Sequence, residues 1–438
     1  MHNELSITVS PERLDEGSFE ERACFASIGF QCGDVWLTEG HDGFVNKVRS
    51  APLLSAYHLA EWMAWNWWRL RWEPRSNAPD WQFAHCLATI GEGYVWPNIT
   101  IFSDGERVAL VAKPTRERPS TRFRYLSDAA QVVDAREFEY KVDQFIEQVR
   151  GLLRDAGIRE SNLDLIWNDV REERRDRNMA RRRKIEALLG RDPDESDETE
   201  IEQLVADGDS LGELAMNEVA ADYPQGGRLL TAELLWEAAN SCGFDAAPQN
   251  VVRLARRTDL SHAGEVSAWQ LGADAARALR KQEKCTTDPI KNDLLADWAG
   301  VQNEVLTAKA SGPAISFALD NGGAGGRVVL RSKWETGRRF DLARLLGDRI
   351  VSSAGGRLFP ATRAHTYRQK MQRSFAAELL SPFEAVDGML AGDYSMENRQ
   401  DIAEYFHVSE WTIRTLLVNH RRLDRTDLED DFDVVEPA

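Results

Sequence analysis

The sequence predicts an α+β protein that is mostly helical, and three observations lead to this fold class. Short runs rich in β-branched and aromatic residues, which are typical of strands, occur within the first 130 residues. Longer stretches with apolar residues at helical spacing follow them. The 438 residues are 42% hydrophobic, which is enough for ordinary cores, and this length suits two to four domains of about 100–200 residues each.

The composition excludes several classes of protein. The chain has no apolar run of the roughly 18–20 residues that a membrane span needs, so no membrane partner is expected. Its start, Met1-His2-Asn3-Glu4, lacks a basic segment followed by an apolar run, so no secretory signal is expected. The five cysteines are widely spaced and include no C-x-x-C pair, which argues against a disulfide framework or a zinc site. A cytoplasmic protein without a cofactor is therefore expected.

The charge of the chain is acidic and unevenly distributed. A net charge of −18 opposes binding to a phosphate backbone unless positive charge is concentrated somewhere. Residues 171–184 contain eight basic residues against three acids, whereas residues 192–209 contain nine acids and no base. The tail 424–438 contains seven acids and one base. Nucleic acid is therefore a candidate partner only at local basic stretches.

The N-terminal domain, residues 1–130, is predicted to be α+β. Strands are expected at 24–37, 94–102 and 107–112, with a turn between the last two. A helix is expected over 52–72, which has no internal glycine or proline. This helix carries five tryptophans and is apolar nearly all round, so it is predicted to be buried.

A helical middle follows the N-terminal domain. Residues 131–190 are predicted to form a helical hairpin, 191–228 an acidic linker and 229–264 a helical connector. The individual helices are expected at 137–155, 163–189, 231–240 and 248–257. The acidic run within the linker is expected to be solvated.

The C-terminal region contains the most specific segments of the chain. From about residue 265, predicted helices and strands lead to Arg339-Phe340-Asp341-Leu342-Ala343 and then to a helix that ends in Phe375-Ala376-Ala377-Glu378-Leu379-Leu380-Ser381-Pro382. Over roughly residues 265–423 this order resembles the ImmA/IrrE-type metalloendopeptidases, a bacterial family tied to mobile-element regulation and stress response. The resemblance implies a zincin-like domain at 265–392 and a helix-turn-helix at 393–425.

The chain departs from this family at the catalytic positions. The family's H-E-x-x-H helix binds zinc through two histidines on one helix face, and its glutamate polarises the bound water. The resemblance aligns Arg344 with the first histidine, Leu345 with the glutamate and Asp348 with the second histidine. The family's downstream glutamate falls near Gln369 or Met371. A guanidinium has no lone pair to offer a metal and leucine cannot act as a base, so a degenerate pseudo-peptidase without metal or catalytic residues is expected.

Two hypotheses concern what replaces the metal. Arg344 and Asp348 stand at i,i+4 on one helix, so they are predicted to form an ion pair, the alternative being that both face solvent. A re-invented metal centre formed by His365, Asp348 and Glu378 is a further alternative, although lone histidines are more often structural.

Residues 393–425 have the form of a helix-turn-helix, with helices expected at 398–406 and 410–420. Ala403 is the small residue needed where the helices cross, Val408 plugs the turn and Ser409 caps the second helix. The residues expected to form the buried faces are Ile402, Phe406, Ile413, Leu416 and Leu417.

The second helix of this motif could enter a major groove of DNA. The candidate contacts are Trp411, Arg414, Asn419, Arg421 and Arg422. Glu410 and the bulky Trp411 are poor neighbours for phosphate, and the acidic tail 426–438 would compete with DNA for the basic side chains. A structural or protein-contact role is therefore the favoured interpretation, and DNA contact is the alternative.

The basic stretch 171–184 is the strongest electrostatic candidate for nucleic acid. Its densest part consists of Arg181, Arg182 and Arg183. The alternative is a long solvated helix whose acids and bases pair at i,i+4, with the following acidic run folding back on it. This alternative is favoured.

The N-terminal domain offers a second candidate. Basic residues surround Phe123, and nearby tryptophans could stack on bases. The basic residues are Arg116, Arg118, Arg122 and Arg124. The alternative is that the tryptophans form a core. His41, His58 and His85 show no spacing typical of a catalytic set, and structural roles are expected for them.

These observations predict a non-catalytic regulatory or scaffold protein. It would use the degenerate metallopeptidase-like domain and the helix-turn-helix to bind a protein partner or DNA. The resemblance implies a setting in mobile-element regulation, stress response or antiviral (phage) defence. One alternative is that the N-terminal domain is an unrecognised effector, or a module binding DNA or RNA, that is sensed or assembled through the C-terminal half. A residual metallopeptidase is the third reading.

Overall fold

The computed structural model describes residues 4–115, 122–255, 260–308, 313–322, 325–352 and 356–424. The protein combines α and β structure and is mostly helical, as predicted. The chain forms two compact units. The first consists of Met1–Val205, Tyr223–Gly226 and Ala364–Thr366, and the second of Ala206–Asp222, Gly227–Arg363 and Tyr367–Ala438. Within the described residues, no helix has both the length and the apolar character needed to cross a bilayer.

The first unit mixes short strands with helices. Its strands are β1 (Leu5–Pro11), β2 (Phe25–Cys32), β3 (Val35–Trp36), β4 (Gly40–Asp42), β5 (Lys47–Arg49), β6 (Leu53–Ser55), β7 (Ile99–Ser103), β8 (Arg107–Ala112), β9 (Phe123–Tyr125) and β10 (Ala129–Asp134). Its helices are α1 (Phe19–Cys24), α2 (Ala56–Trp65), α3 (Trp67–Trp72), α4 (Trp81–His85), α5 (Ala135–Asp155), α6 (Asn162–Arg175) and α7 (Arg177–Leu188). Helix α8 (Glu198–Leu211) follows them along the chain.

All strand pairs of the first unit are antiparallel among the described residues. Strands β1, β2 and β3 pair in that order and β6 pairs with β2, while β10-β8-β7 and β5-β4-β9 form two further sheets. Strand β2 buries Ile28 and Phe30 in the core, and α5 adds Phe138 and Phe145 from its apolar face. Helix α5 was predicted from its helical spacing, and the structure confirms it.

The predicted helix at 52–72 is interrupted in two places. Residues 53–55 form β6 instead, because they pair with β2. Asn66 then separates α2 from α3 with ψ near 10°, and its side-chain amide donates to the Trp62 carbonyl, 2.9 Å away. The tryptophans therefore do not all face one core: Trp67 and Trp68 are buried, but Trp65 is exposed.

The region predicted as a helical hairpin contains three helices. The predicted helix at 163–189 breaks at Asp176, whose backbone is extended (ψ 113°). The Asp176 side chain accepts hydrogen bonds from the backbone N–H groups of the next turn, so it caps a new helix instead of continuing the old one.

The expectation of an acidic linker at 191–228 is wrong, because most of this segment is helical. This segment contains α8 and α9 (Glu213–Ala220), and apolar side chains of both helices are buried, among them Ile201, Leu211 and Val219. The acids of the segment alternate with these apolar residues at helical spacing, which charge counting alone does not register.

The second unit is built around one antiparallel sheet. Its strands are β11 (Phe244–Ala246), β12 (Ser316–Asp320), β13 (Gly326–Val329) and β14 (Leu358–Ala361), in the order β11-β13-β12-β14. Besides α9, its helices are α10 (Ala232–Cys242), α11 (Ala268–Gln282), α12 (Asn292–Trp298), α13 (Glu304–Thr307), α14 (Glu335–Val351), α15 (Tyr367–Leu380), α16 (Phe383–Leu390), α17 (Met396–Phe406) and α18 (Glu410–Asn419).

The segment predicted as a helical connector contributes a strand to this sheet. Helix α10 forms as expected, but β11 follows it and pairs with β13. The predicted helix at 248–257 is wrong over its described part, where only 248–250 form a helical turn. Val251 is extended (ψ 130°) and the Val252 N–H donates to the Trp298 carbonyl, so tertiary hydrogen bonds replace helical ones.

Helices α11, α14 and α15 pack closely against one another. A side chain at Gly272 would lie 2.3 Å from the Met371 carbonyl oxygen, so glycine is needed for the approach of α11 to α15. Gly347 of α14 lies against the ring of Phe375 in the same way. These contacts fix the facing surfaces of α14 and α15.

Two helices form where the helix-turn-helix was predicted. Helices α17 and α18 bury the five predicted apolar residues together with Ala403 and Val408. The Ser409 hydroxyl accepts from the Thr412 N–H at 3.2 Å and caps α18. His407 takes up the left-handed conformation (φ 54°) that ends α17.

Candidate functional site

Helix α14 carries the three positions that the resemblance aligns with H-E-x-x-H. Arg344 and Asp348 are both buried, and neither faces solvent. Leu345 is also buried and belongs to the hydrophobic core of the second unit. The side chains of Arg344 and Asp348 instead contact α15 and the segment that precedes it.

Arg344 is bonded directly to Gln369 of α15. Its Nη2 donates to Gln369 Oε1 at 2.7 Å and to the Thr362 carbonyl at 2.6 Å. Gln369 Oε1 also accepts from the Thr362 N–H, and its Nε2 donates to the Pro360 carbonyl at 3.1 Å. Two of the positions mapped from the sequence, the first-histidine and downstream-glutamate positions, are thus joined by one hydrogen bond.

Asp348 is bonded to Arg368, and the predicted ion pair between Arg344 and Asp348 is wrong. The fully buried Asp348 carboxylate accepts from Arg368 Nε and Nη2, each at 2.7 Å, and from the Ser352 hydroxyl at 2.9 Å. The acid closest to Arg344 is instead Asp341, at 3.9 Å. The planar fork of Arg368 engages both carboxylate oxygens of Asp348.

This paired geometry sets the charge of Arg368. Burial on its own lowers the pKa of Arg368, but the carboxylate of Asp348 and its hydrogen bond more than compensate, so the pKa is raised. The guanidinium and the carboxylate therefore remain a fixed ion pair inside the second unit.

Arg344 and Arg373 place further positive charge in the same region. Burial lowers the pKa of Arg344, while Asp341 opposes the shift. Burial also lowers the pKa of Arg373, and the positive charge of Arg344 lowers it further, to about 9. Both guanidinium groups stay protonated at neutral pH. The carboxylates of Glu218 and Asp222 counter the charge of Arg373, so this region is an array of buried and partly buried cations with matching acids.

The residues of this array do not fit a zinc ion. Zinc takes sulfur, imidazole nitrogen or carboxylate oxygen as ligands, and a guanidinium offers no lone pair. The Asp348 oxygens are already engaged by Arg368, and Glu378 is paired with Arg277 at 2.9 Å. Among the described residues, no three His, Cys, Asp or Glu side chains converge as metal ligands, so the hypothetical centre of His365, Asp348 and Glu378 is not formed.

The candidate DNA-contact residues of the helix-turn-helix differ in exposure and in pairing. Trp411 is 41% exposed, and the Arg414 guanidinium lies 5.6 Å from the centre of its ring. Asn419 and Arg421 are exposed at the end of α18. Arg422 is bonded through Nε and Nη2 to Asp387, at 3.0 and 2.7 Å.

Two further contacts complete the description of this surface. Glu410, at the start of α18, is paired with Arg399 at 2.6 Å. The acidic tail 426–438 lies outside the described residues.

Arg339 ties the helix-turn-helix to α14, and sequence reasoning missed this role. The buried Arg339 donates through Nε to the His407 carbonyl at 3.2 Å and through Nη2 to the Ile290 carbonyl at 2.7 Å. It also donates to the Asn292 side chain. Helix α14 contains four arginines, so the sequence alone did not single out this one.

The basic stretch 171–184 is largely neutralised by neighbouring acids. Arg183 is buried and bonded to Glu173 and Asp194, at 2.6 and 2.9 Å. Arg182 pairs with Glu198 at 3.4 Å, and Arg181 donates to the Val205 carbonyl. The acidic run therefore folds back on the basic stretch, as the favoured alternative predicted. The long solvated helix with i,i+4 pairs of that alternative is not formed, because the helix breaks at Asp176 and Arg183 is buried with partners at other spacings.

The histidines of the first unit include one in a buried polar cluster. His85 Nδ1 lies 2.7 Å from the Ile101 carbonyl and Nε2 lies 2.9 Å from Glu73 Oε2, and Glu73 is bonded in turn to Arg69. Both ring nitrogens are engaged and the ring stacks on Trp81, which is a structural arrangement.

Of the N-terminal basic residues, Arg122 is exposed just before β9 and Arg124 is exposed within it, whereas Arg116 and Arg118 lie outside the described residues. Comparisons of the chain with models of protein families, with curated proteins and with solved structures give no match.

Proposed function

We propose that this is a non-catalytic regulatory or scaffold protein whose C-terminal half resembles an ImmA/IrrE-type peptidase that has lost its metal chemistry. The observation that carries the proposal is the hydrogen bond from Arg344 to Gln369. These side chains occupy two positions that the resemblance assigns to metal ligands. A buried cation held by an amide and a backbone carbonyl repels a divalent metal ion instead of binding it.

The helix-turn-helix is proposed to contact a protein partner. Its exposed aromatic residues, Tyr405 (50% exposed) and Trp411, are of the types that dominate protein interfaces. Arg422 is bonded to Asp387 and Arg399 to Glu410, so these two cations are already neutralised and are poor partners for a phosphate backbone. The setting in mobile-element regulation, stress response or phage defence comes from the resemblance.

The absence of metal chemistry is tested first. The full chain is incubated with zinc and dialysed, and its metal content and peptidase activity are measured with and without a chelator. We expect substoichiometric zinc and no chelator-sensitive proteolysis. Stoichiometric zinc with chelator-sensitive proteolysis would instead support a residual metallopeptidase.

The protein contact is tested with surface variants of the full chain. Trp411→Ala and Tyr405→Ala are compared with Phe83→Ala, which removes an exposed aromatic side chain from the first unit. Proteins that co-purify with the unaltered chain from its own cells are identified, purified and titrated against each variant. We expect about 10-fold or greater weakening for the first two variants and none for the control. Salt-dependent binding of duplex DNA that is lost in Arg414→Ala and Arg421→Ala would favour the DNA alternative.

A further inference from the structure

The small sheet β5-β4-β9 of the first unit presents an unusual surface. Its register places His41 opposite Val48 on one side and opposite Arg124 on the other. Because residues directly across an antiparallel ladder share a face, these three residues lie on one face of the sheet. The segment 43–46 joins β4 to β5 at the tip of the hairpin.

This hairpin exposes apolar side chains that contribute to no core. Phe44 is 78% exposed and Val48 is 58% exposed, and Val45 between them is exposed as well. The opposite face is closed: the Phe123 ring covers Gly40 so tightly that a side chain there would lie 2.4 Å from it. The Phe44 ring therefore packs into neither face of the sheet, and an exposed apolar group of this kind is a feature of binding surfaces.

This small sheet is basic in a strongly acidic chain. Within 40–49 and 122–125 there are four basic residues and one acid, in a protein whose net charge is −18. The acid, Asp42, is neutralised by Arg49 at 3.0 Å and accepts the Phe44 N–H at 3.0 Å. The guanidinium of Arg122 lies 5.5 Å from the centre of the Phe44 ring, so cation and aromatic ring form one unit.

We propose that this sheet, termed the Phe44 platform, binds single-stranded nucleic acid. Phe44 stacks on a base, while Arg122 and Arg124 contact neighbouring phosphates. An exposed aromatic ring flanked by cations is the combination with which proteins hold single strands without reading their sequence. The proposal goes beyond the proposed function, because it concerns the first unit and does not depend on the pseudo-peptidase or the helix-turn-helix.

An anionic membrane is the other polyanion that such a surface could meet, and the tip argues against it. If Phe44 entered the lipid tails, the guanidinium of Arg122 and the side chain of Asn46 would have to enter with it. Asn46 is bonded to His41 Nε2 at 3.1 Å. Removing these polar groups from water is costly, whereas stacking on a base leaves them hydrated. Nucleic acid is therefore the occupant that the polar groups of the tip favour.

The test uses fluorescence anisotropy of the full chain with labelled oligo(dT) and oligo(U) of roughly 20 nucleotides, longer than the site of one single-strand module. We expect binding at about 50 mM salt that weakens steeply towards about 200 mM. Phe44→Ala should weaken it roughly 5- to 100-fold, and Phe44→Trp should retain it. Arg124→Gln should reduce the slope of log affinity against log salt by about 0.7.

Phe19→Ala is the matched control. Phe19 is 72% exposed and lies under the guanidinium of Arg22 at 4.9 Å, but its neighbours are Glu20 and Glu21 instead of basic residues. We expect the affinity of this variant and of Trp411→Ala to match that of the unaltered chain. Circular dichroism confirms that each variant is folded.

Three results would overturn the proposal. The first is no binding of either oligonucleotide at low salt. The second is an equal effect of Phe44→Ala and Phe19→Ala, or loss of binding in Trp411→Ala alone, which would move the site to the helix-turn-helix. The third is Phe44-dependent co-sedimentation with phosphatidylserine vesicles without oligonucleotide binding, which would make the platform a membrane surface. None of these outcomes bears on zinc content or on the protein partner of the second unit.

Discussion

Replacing Asp348 with alanine removes the carboxylate that balances Arg368 inside the second unit. The side chain of Asp348 is fully buried and that of Arg368 is only 17% exposed, so the guanidinium left behind cannot be rescued by water. Asp348 is also one of the carboxylates that support the positive charge of Arg344. The substitution therefore leaves two buried guanidinium groups less compensated than before.

The expected cost follows from the geometry of the pair. Removing one partner of a buried, fully hydrogen-bonded ion pair costs about 3–5 kcal/mol, because an uncompensated charge remains. Loss of the acceptor for the Ser352 hydroxyl adds about 0.5–1.5 kcal/mol. In contrast, Asp15→Ala breaks an ion pair with Arg13 whose side chains are 88% and 76% exposed, and this should cost less than about 1 kcal/mol.

Hydrogen exchange of the backbone amides in α14 and α15 measures the effect locally. A local measurement is needed because a chain with two compact units does not guarantee two-state melting. A loss of about 4 kcal/mol corresponds to a roughly 1,000-fold drop in protection. The double variant Asp348→Ala/Arg368→Met should recover most of this, since an apolar pair avoids the unpaired charge.

A drop of less than about tenfold in Asp348→Ala would refute this reasoning. Equal loss of protection in the single and double variants would do so too, because the cost would then not come from the orphaned guanidinium of Arg368.

Three further predictions concern the second unit. A zinc site should appear when zinc ligands replace the residues at the degenerate positions of α14 and α15. Elemental analysis should give about one zinc per chain for this variant and none for the unaltered chain. A folded variant that binds no zinc would count against the alignment of these positions with the family's zinc ligands. The substitutions for that variant are R344H, D348H, R368M and Q369E. Burial, and then the charge of Arg277, lower the pKa of His420 below 6.5, so stability should be lost as the pH falls from about 6.5 through the lower folded-state pKa. Melting at about pH 7.5 and about pH 5.5 should show this loss, and His420→Phe, which keeps the stacking on Phe383, should reduce it. Arg339→Ala should lower amide protection in α17 and α18 roughly 100-fold because the His407 carbonyl loses its donor, and unchanged protection would exclude this role for Arg339.

Elements defined by local periodicity could be predicted from the sequence. Helix α5 and the helix-turn-helix follow from apolar spacing and from cap residues such as Ser409, which act within a few residues of the chain. The breaks at Asn66 and Asp176 could not be predicted in this way. Each depends on a single side chain that bonds to the backbone instead of continuing the helix.

The partner of a buried charge was the least predictable feature. The i,i+4 rule favours Arg344 as the partner of Asp348, but Arg368 comes from a different helix with better geometry. Strand β11 is similar, since it forms because β13 offers a pairing edge across 80 residues of sequence, as Ala246 opposite Gly326 illustrates. Such choices depend on tertiary packing, which a single sequence does not encode locally.

The exchange of partners between α14 and α15 also limits how this protein can evolve. A single mutation that introduces histidine at position 348 leaves the Arg368 guanidinium without its carboxylate, and one at position 344 removes one of the two donors to Gln369 Oε1 and one of the two to the Thr362 carbonyl. Each step towards a metal centre therefore first produces a less stable chain, and selection removes such chains before a second ligand can arise. Return to metal binding at these positions would therefore require several substitutions to occur together.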